Sequence, residues 1–144
     1  MRIVLFLLFL FGLSSTLVIA QDIDVLTTEK RIILLKSESR DSDWLHAQIK
    51  RLTTDRMALE ERQALLLVLA NNEIYDDQGR VTNLNAAALI NQYELLDFEG
   101  VVVIGKDGKI KLQQGFIVNP REIFSLIDNI PAIEPEQTDS KTID

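Results

Sequence analysis

Residues 98–131 constrain the fold more than any other part of the chain, because they combine a buried strand, a tight turn, a second strand and a helix. Val101 to Ile104 is an unbroken β-branched run, which is typical of a strand covered on both faces. Asp107-Gly108 then marks a hairpin turn. In the return strand Ile110 and Leu112 alternate with polar residues, so we expect these two side chains to share one face. The sheet should therefore contain an antiparallel pair.

The helix that closes this stretch carries start and stop signals. Asn119 is a good N-cap, Pro120 fits the first helical position, and Glu122 completes a capping box. Pro131 should end the helix. The segment after it, residues 132–144, is acidic and poor in apolar residues, which predicts a disordered tail.

Two earlier apolar runs predict further strands. Arg31 to Lys36 (RIILLK) has four consecutive aliphatic residues between charges and is expected at the centre of the sheet. Ala64 to Ala70 (ALLLVLA) predicts a second buried strand. Between them, residues 43–60 have a helical apolar stripe, which Thr53-Thr54 weakens in the middle.

The remaining segments are less strongly patterned. Residues 71–83 read as a loop with a turn at Asp76 to Gly79, and residues 84–93 as a helix capped by Thr82 or Asn83. Asp22 to Val25 alternates polar and apolar residues, as a short edge strand would.

The order strand, helix, strand, helix, strand, strand, helix predicts an α/β domain with a mixed four-stranded sheet and helices on both faces. This is the thioredoxin-like arrangement. A fully parallel doubly wound domain is the alternative, but it has no place for the hairpin. The predicted organisation is a leader over residues 1–20, a lead-in over 21–30, the domain over 31–131 and a tail over 132–144.

Residues 1–20 have the pattern of a secretory signal peptide. Arg2 supplies a positive start, Ile3 to Leu13 is apolar, and Val18-Ile19-Ala20 is a small-residue cleavage signal. Cleavage before Gln21 is expected, so the protein should be periplasmic or secreted and free of the membrane afterwards. An uncleaved anchor stays open, because the apolar run is nearly long enough to span a bilayer.

Charge and cysteine usage exclude several classes of function. The chain has 15 basic and 22 acidic residues, a net charge of −7, and loss of Arg2 with the leader makes it −8. Nucleic acid and anionic membranes are therefore poor partners. With no cysteine, the protein has no disulfides and no thiol chemistry.

Several pieces of the sequence resemble an uncharacterised family of exported thioredoxin-like domains, over about residues 31–131. The pieces are Leu45 to Gln48 (LHAQ), Tyr93, Ile104 to Lys109 (IGKDGK) and Leu126 to Pro131. The resemblance implies the fold and export, and a relationship to modules of sushi-repeat-containing and extracellular-matrix coiled-coil-domain proteins. It implies no established activity. The family often has a tryptophan just before the first strand, where this chain has residues 28–30.

In redox-active thioredoxin-like proteins a Cys-x-x-Cys pair follows the first strand and a cis-proline precedes the third. Here Ser37 to Trp44 and Glu99-Gly100 occupy those places, so thiol-disulfide and peroxidase activity are excluded. The same junction is still the best candidate for contact with a partner, and we name five residues there. They are Ser39, Arg40, Asp43, Trp44 and Glu99. For Trp44 a packed position on the first helical turn is favoured over an exposed anchor.

No catalytic residue, cofactor or metal site is predicted. His46 has no evident partner and is expected to be a solvated helix residue, and Asp76-Asp77 lacks the pattern of a calcium loop. The favoured function is a non-enzymatic module that binds a protein or peptide. An enzyme or a small-ligand carrier, with a site at the first strand-helix junction, is the alternative.

Overall fold

Five strands form one mixed sheet in the computed structural model, which describes residues 22–131. The strand order is β3-β2-β1-β4-β5; β1 and β2 are parallel, and the other neighbouring pairs are antiparallel. The predicted leader and tail lie outside the described residues. The strands are β1 (Arg31–Lys36), β2 (Ala64–Ala70), β3 (Glu73–Asp76), β4 (Gly100–Ile104) and β5 (Ile110–Gln114).

The mixed sheet and the central position of β1 confirm the sequence prediction. The expectation of four strands was wrong, because the predicted loop after β2 contains β3. Asn71 and Asn72 have φ of 51° and 60° and connect β2 to β3 as a two-residue turn. Such tight hairpin turns require positive φ at both positions, which asparagine tolerates. The turn predicted at Asp76 to Gly79 is present.

Helices cover both faces of the sheet, as predicted. Two buried clusters lie on opposite faces of the strands: one takes side chains from the second, third and fifth helices, and the other from the first and fourth. No helix of the described part is long and apolar enough to cross a membrane. The helices are α1 (Ile23–Glu29), α2 (Asp43–Thr53), α3 (Arg56–Glu61), α4 (Ala86–Gln92) and α5 (Pro120–Asp128).

The lead-in is helical, so the expectation of an edge strand was wrong. Asp22 accepts a hydrogen bond from the backbone N–H of Asp24 (3.1 Å) and caps α1. Ile23 and Thr27, four residues apart, are buried on the same side of this helix. The alternation of Asp22 to Val25 spans too few residues to distinguish a period of two from a helical turn.

The helix predicted over residues 43–60 is divided into α2 and α3. The hydroxyl of Thr54 donates to the carbonyl of Lys50 (2.7 Å), and Asp55 caps α3 through the N–H of Ala58 (3.0 Å). The cap predicted for the next helix was also displaced, because Asn85, rather than Thr82 or Asn83, accepts from Ala88 at the start of α4. In both places a polar side chain with a backbone partner sets the helix boundary.

A bulge in the β4–β5 hairpin overturns the expected alternation of β5. Val103 pairs with Leu112, but Ile104 pairs with Ile110, so Lys111 is the extra residue. As a result, Leu112 packs against the cluster beneath α2 and α5, whereas Ile110 packs against the cluster beneath α4. α5 begins where predicted, with Asn119 accepting from Arg121 (3.0 Å) and Pro120 at the first helical position. The predicted capping box is incomplete, because the Glu122 side chain does not accept from the N–H of Asn119.

Candidate functional site

The loops that follow β1 and β2 and the segment that precedes β4 meet at one end of the sheet. Lys36, at the end of β1, has a partner on each neighbouring strand. It pairs with Gly100 at the start of antiparallel β4 and with Leu69 near the end of parallel β2. We call this end the carboxyl edge and define it as residues 36–44, 69–72 and 96–100. In open α/β sheets, ligands bind outside the carboxyl ends of the strands.

Glu99 ties two segments of the carboxyl edge together. Its Oε1 accepts the N–H of Glu38 (2.6 Å) and the hydroxyl of Ser37 (2.9 Å). These two hydrogen bonds, aided by the charge of Lys36, hold the pKa of the Glu99 carboxyl below its usual range, although partial burial opposes them. A carboxylate stabilised in this way is a weak base, which disfavours a catalytic role in proton abstraction.

Gly100 sets the position of Glu99. It has φ of +147°, and a Cβ at this residue would lie 2.2 Å from the carbonyl oxygen of Gln114 on the neighbouring strand. Only glycine allows this close approach of the two backbones. A glycine at position 100 is therefore a packing requirement of this sheet.

Of the five predicted contact residues, Arg40 and Ser39 are engaged within the fold. The Arg40 guanidinium lies 4.2 Å from the ring centroid of Tyr75 and donates to the carbonyl of Gly79 (2.9 Å), so it braces β3 and the turn after it. The Ser39 hydroxyl accepts from the N–H of Asp41 (3.1 Å) within its own loop. Neither side chain is directed to Glu99 by these contacts.

Trp44 is 64% exposed, so the expectation of a packed residue was wrong. The phase of α2 explains the difference. Ser42 caps the helix, and Leu45, Gln48 and Leu52 form its buried face. Trp44 is one residue before this stripe, a rotation of about 100° that carries its ring to solvent. Asp43, the first residue of α2, is exposed beside it.

A hollow of about 230 Å³ lies at the carboxyl edge on the face covered by α4, and the sequence analysis missed it. Lys36 is 7% exposed, and Asn71 and Asn72 line the hollow together with apolar residues. One signal was available in the sequence. In a strand that includes Ile32 and Leu34, alternation places the side chain of Lys36 on the same covered face.

His46, Asp76 and Asp77 are not arranged for catalysis or metal binding. His46 is exposed, as predicted, and is the only histidine of the chain, so the Ser37–Glu99 pair has no imidazole to activate a serine. Asp76 accepts from Arg80 and Gln78 in its turn, and Asp77 pairs with Arg56. Within residues 22–131, no group of three His, Asp or Glu side chains is arranged to hold a metal ion.

The sequence pieces that carry the family resemblance make contacts within the scaffold. The Tyr93 hydroxyl donates to the carbonyl of Gly108 (3.0 Å), so α4 supports the tip of the β4–β5 hairpin. The Gln48 side chain is fully buried and bonds the backbone of Val118. These residues hold elements of the fold together.

Comparisons with known proteins give a family and a weak structural likeness. A family model described as a domain of unknown function, DUF4174, matches residues 22–136. No curated protein matches the chain. Among solved structures, the thioredoxin domain of a thiol-disulfide oxidoreductase from Bacteroides vulgatus is similar, with 9% identity and a TM-score of 0.48. That alignment covers 71% of this chain and 79% of the other.

Proposed function

This chain belongs to the DUF4174 family of domains of unknown function, and from that premise we propose that it is an exported module that binds a protein or peptide through its carboxyl edge. The contact would centre on Trp44. The cysteine-free sequence leaves a scaffold at the place where redox-active relatives carry their thiols.

The exposure of Trp44 is the observation that carries the proposal. Tryptophan is among the residues most enriched in the energetic centres of interfaces, because its large ring buries much apolar surface at small entropic cost. Leu96, at the same end of the sheet, is 73% exposed. Leu96 lies on the α4 side of the sheet, away from Trp44, so the proposed surface rests on Trp44 and the charged residues beside it.

The charges around Trp44 indicate the chemistry of the partner. Glu38, Asp41 and Asp43 are exposed on the same loop and helix start, and the chain as a whole carries a net charge of −7. A partner segment with an apolar residue for Trp44 and lysines or arginines beside it would be complementary. Association with such a segment should weaken as the salt concentration rises.

Trp44 also provides the test, because it is the only tryptophan and its fluorescence reports on this surface alone. Partners are captured from the extracytoplasmic fraction of the native host with wild type, Trp44→Ala and Met57→Ala. Met57 is a matched control, since it is 69% exposed but lies on α3. The captured partner is then purified and titrated into the wild-type protein.

We expect Trp44→Ala to weaken the partner's affinity by about tenfold or more and Met57→Ala to leave it unchanged. Binding should shift the Trp44 emission to shorter wavelength and reduce its quenching by acrylamide. If Trp44→Ala captures the same partners with the same affinity, the carboxyl edge is not the binding surface.

Export and domain organisation are further parts of the proposal. A leader that ends at Ala20 predicts that the secreted protein begins at Gln21, and N-terminal sequencing of the exported protein tests this directly. The acidic segment 132–144 would then follow the domain as a tail. The relationship to modules of sushi-repeat-containing and extracellular-matrix coiled-coil-domain proteins stays a prediction from the resemblance of residues 104–109.

A further inference from the structure

The hollow beside Lys36 is separate from the Trp44 surface, and its chemistry points to a small ligand. It lies at the carboxyl edge between β1, β2 and α4, whereas Trp44 lies at the start of α2 on the other side of the sheet. Its volume of about 230 Å³ is below the roughly 300–1,000 Å³ of drug-sized pockets, so it suits a compact molecule.

Lys36 is the only charged residue among the buried residues of the described part of the chain. No carboxylate between residues 22 and 131 forms an ion pair with it. The Glu99 carboxylate and the Lys36 ammonium attract each other from beyond ion-pair distance, and Glu99 Oε1 already accepts from Ser37 and Glu38. Lys36 lines the hollow and has no carboxylate within ion-pair distance, so an anion that enters the hollow would pair directly with its ammonium group.

The rest of the lining defines which anion fits. Leu69, Ala70 and Ile90 make an apolar wall, with Leu96 exposed at the mouth. Asn71 and Asn72 also line the hollow, and side-chain amides are hydrogen-bond donors for a second oxygen. Glu38 also borders the hollow, and its negative charge repels a dianion more strongly than a monoanion.

From these features we propose that the hollow binds an aliphatic monocarboxylate. The Lys36 ammonium holds the carboxylate, and the apolar wall takes the hydrocarbon chain. The carboxylate comes either from a free small acid or from the C terminus of a peptide that ends in an aliphatic residue. The inference does not depend on a partner at Trp44.

The test is an NMR titration of the purified protein with 4-methylpentanoate, with the neutral 4-methylpentanamide as the matched probe. The acid should cause saturable shifts of the backbone N–H signals of Asn71, Asn72 and Leu96. The affinity for 4-methylpentanamide should be weaker by about tenfold or more. Glycyl-glycyl-leucine with a free and with an amidated C terminus forms the second arm. Tighter binding of the acid or of the free peptide identifies the source of the carboxylate.

Two variants decide the role of the lysine. Lys36→Met keeps an unbranched stem in the strand and removes the charge, so it should weaken carboxylate binding by about tenfold. Lys109→Met, an exposed lysine at the opposite end of the sheet, should bind as the wild type does. Lys36→Gln serves in its place if the methionine variant does not fold, as judged by circular dichroism. Equal binding of acid and amide, or unchanged binding by the Lys36 variants, overturns the proposal.

Discussion

The side-chain amide of Gln48 pairs with the backbone of Val118 as one strand residue pairs with another. Gln48 Nε2 donates to the Val118 carbonyl (3.0 Å), and Gln48 Oε1 accepts the Val118 N–H (2.8 Å). Both residues are buried, and 70 positions separate them in the chain. The pair therefore joins α2 to the segment that leads into α5 and satisfies two backbone groups that no strand covers.

Replacement of Gln48 should show how much this pair contributes to stability. Gln48→Met keeps the length of the side chain but leaves the N–H and carbonyl of Val118 buried without partners, each at a cost of about 1–3 kcal/mol. We expect the free energy of unfolding in urea to fall by about 2–4 kcal/mol. Gln92→Met removes an exposed hydrogen bond to Asp24 and should cost less than about 0.5 kcal/mol. Similar losses for the two variants would contradict this account.

Gly100→Ala should be strongly destabilising. The new Cβ would overlap the Gln114 carbonyl oxygen at 2.2 Å, and the backbone conformation disfavours any side chain. Strain and overpacking each cost about 1–3 kcal/mol, so a loss of about 3 kcal/mol or more is expected in thermal or urea unfolding. Gly115→Ala is the control, because its nearest neighbour, the Glu99 carbonyl, would lie 3.9 Å away. A Gly100→Ala variant as stable as Gly115→Ala would show that the two strands can separate at this point.

Tyr93→Phe removes the hydrogen bond to the Gly108 carbonyl and should cost about 0.5–1.5 kcal/mol at neutral pH. Burial first, and then the charges of Asp24, Asp107 and Asp22, raise the pKa of Tyr93 above its ordinary 10.0. The neutral phenol therefore contributes stability that is present below pH 10.0 and is lost as the pH rises through the raised pKa. In urea unfolding above pH 10, the difference in unfolding free energy between wild type and Tyr93→Phe should become smaller. A difference that does not change with pH would argue against a raised pKa of Tyr93 in the folded state.

Glu99→Gln should reveal a pH-dependent contribution to stability. The lowered pKa of Glu99 means that the folded state favours the carboxylate, so this contribution is present above the ordinary value of 4.5 and is lost as the pH falls through the folded pKa. The thermal midpoint of the wild type should exceed that of the variant at pH 7, and the difference should decline below pH 4.5. Ser37→Ala, which removes one donor, should shrink this pH-dependent part without abolishing it. A difference independent of pH would show that the carboxylate charge is not involved.

Much of the fold could be predicted because its signals are local. The run RIILLK, the Asp107-Gly108 turn and the Asn119-Pro120 helix start each act within a few residues, and the structure confirms all of them. Strand β3 was missed because its sequence, EIYD, is short and has a charged residue at each end. The Asn71-Asn72 dipeptide before it is nevertheless a hairpin signal. The bulge at Lys111 also has no local signal strong enough to displace simple alternation.

The candidate site was harder to predict. The sequence placed Glu99 beside the β1–α2 junction, which the structure confirms through Ser37 and Glu38. It did not reveal that Arg40 would brace Tyr75 or that Lys36 would be buried. Partners such as these come from strands and loops far away in the chain, so residue type and spacing alone do not select them.

By itself, the sequence determined the mixed sheet, the order of the main elements and the absence of cysteine thiols, because strand periodicity, turn torsions and residue identity are properties of the residues themselves. Only the tertiary structure decided that Trp44 faces solvent and that Lys36 borders a hollow. Exposure depends on the phase at which a helix docks and on which distant side chains cover a strand end. Those are set by the packing of the whole core, which no local pattern encodes.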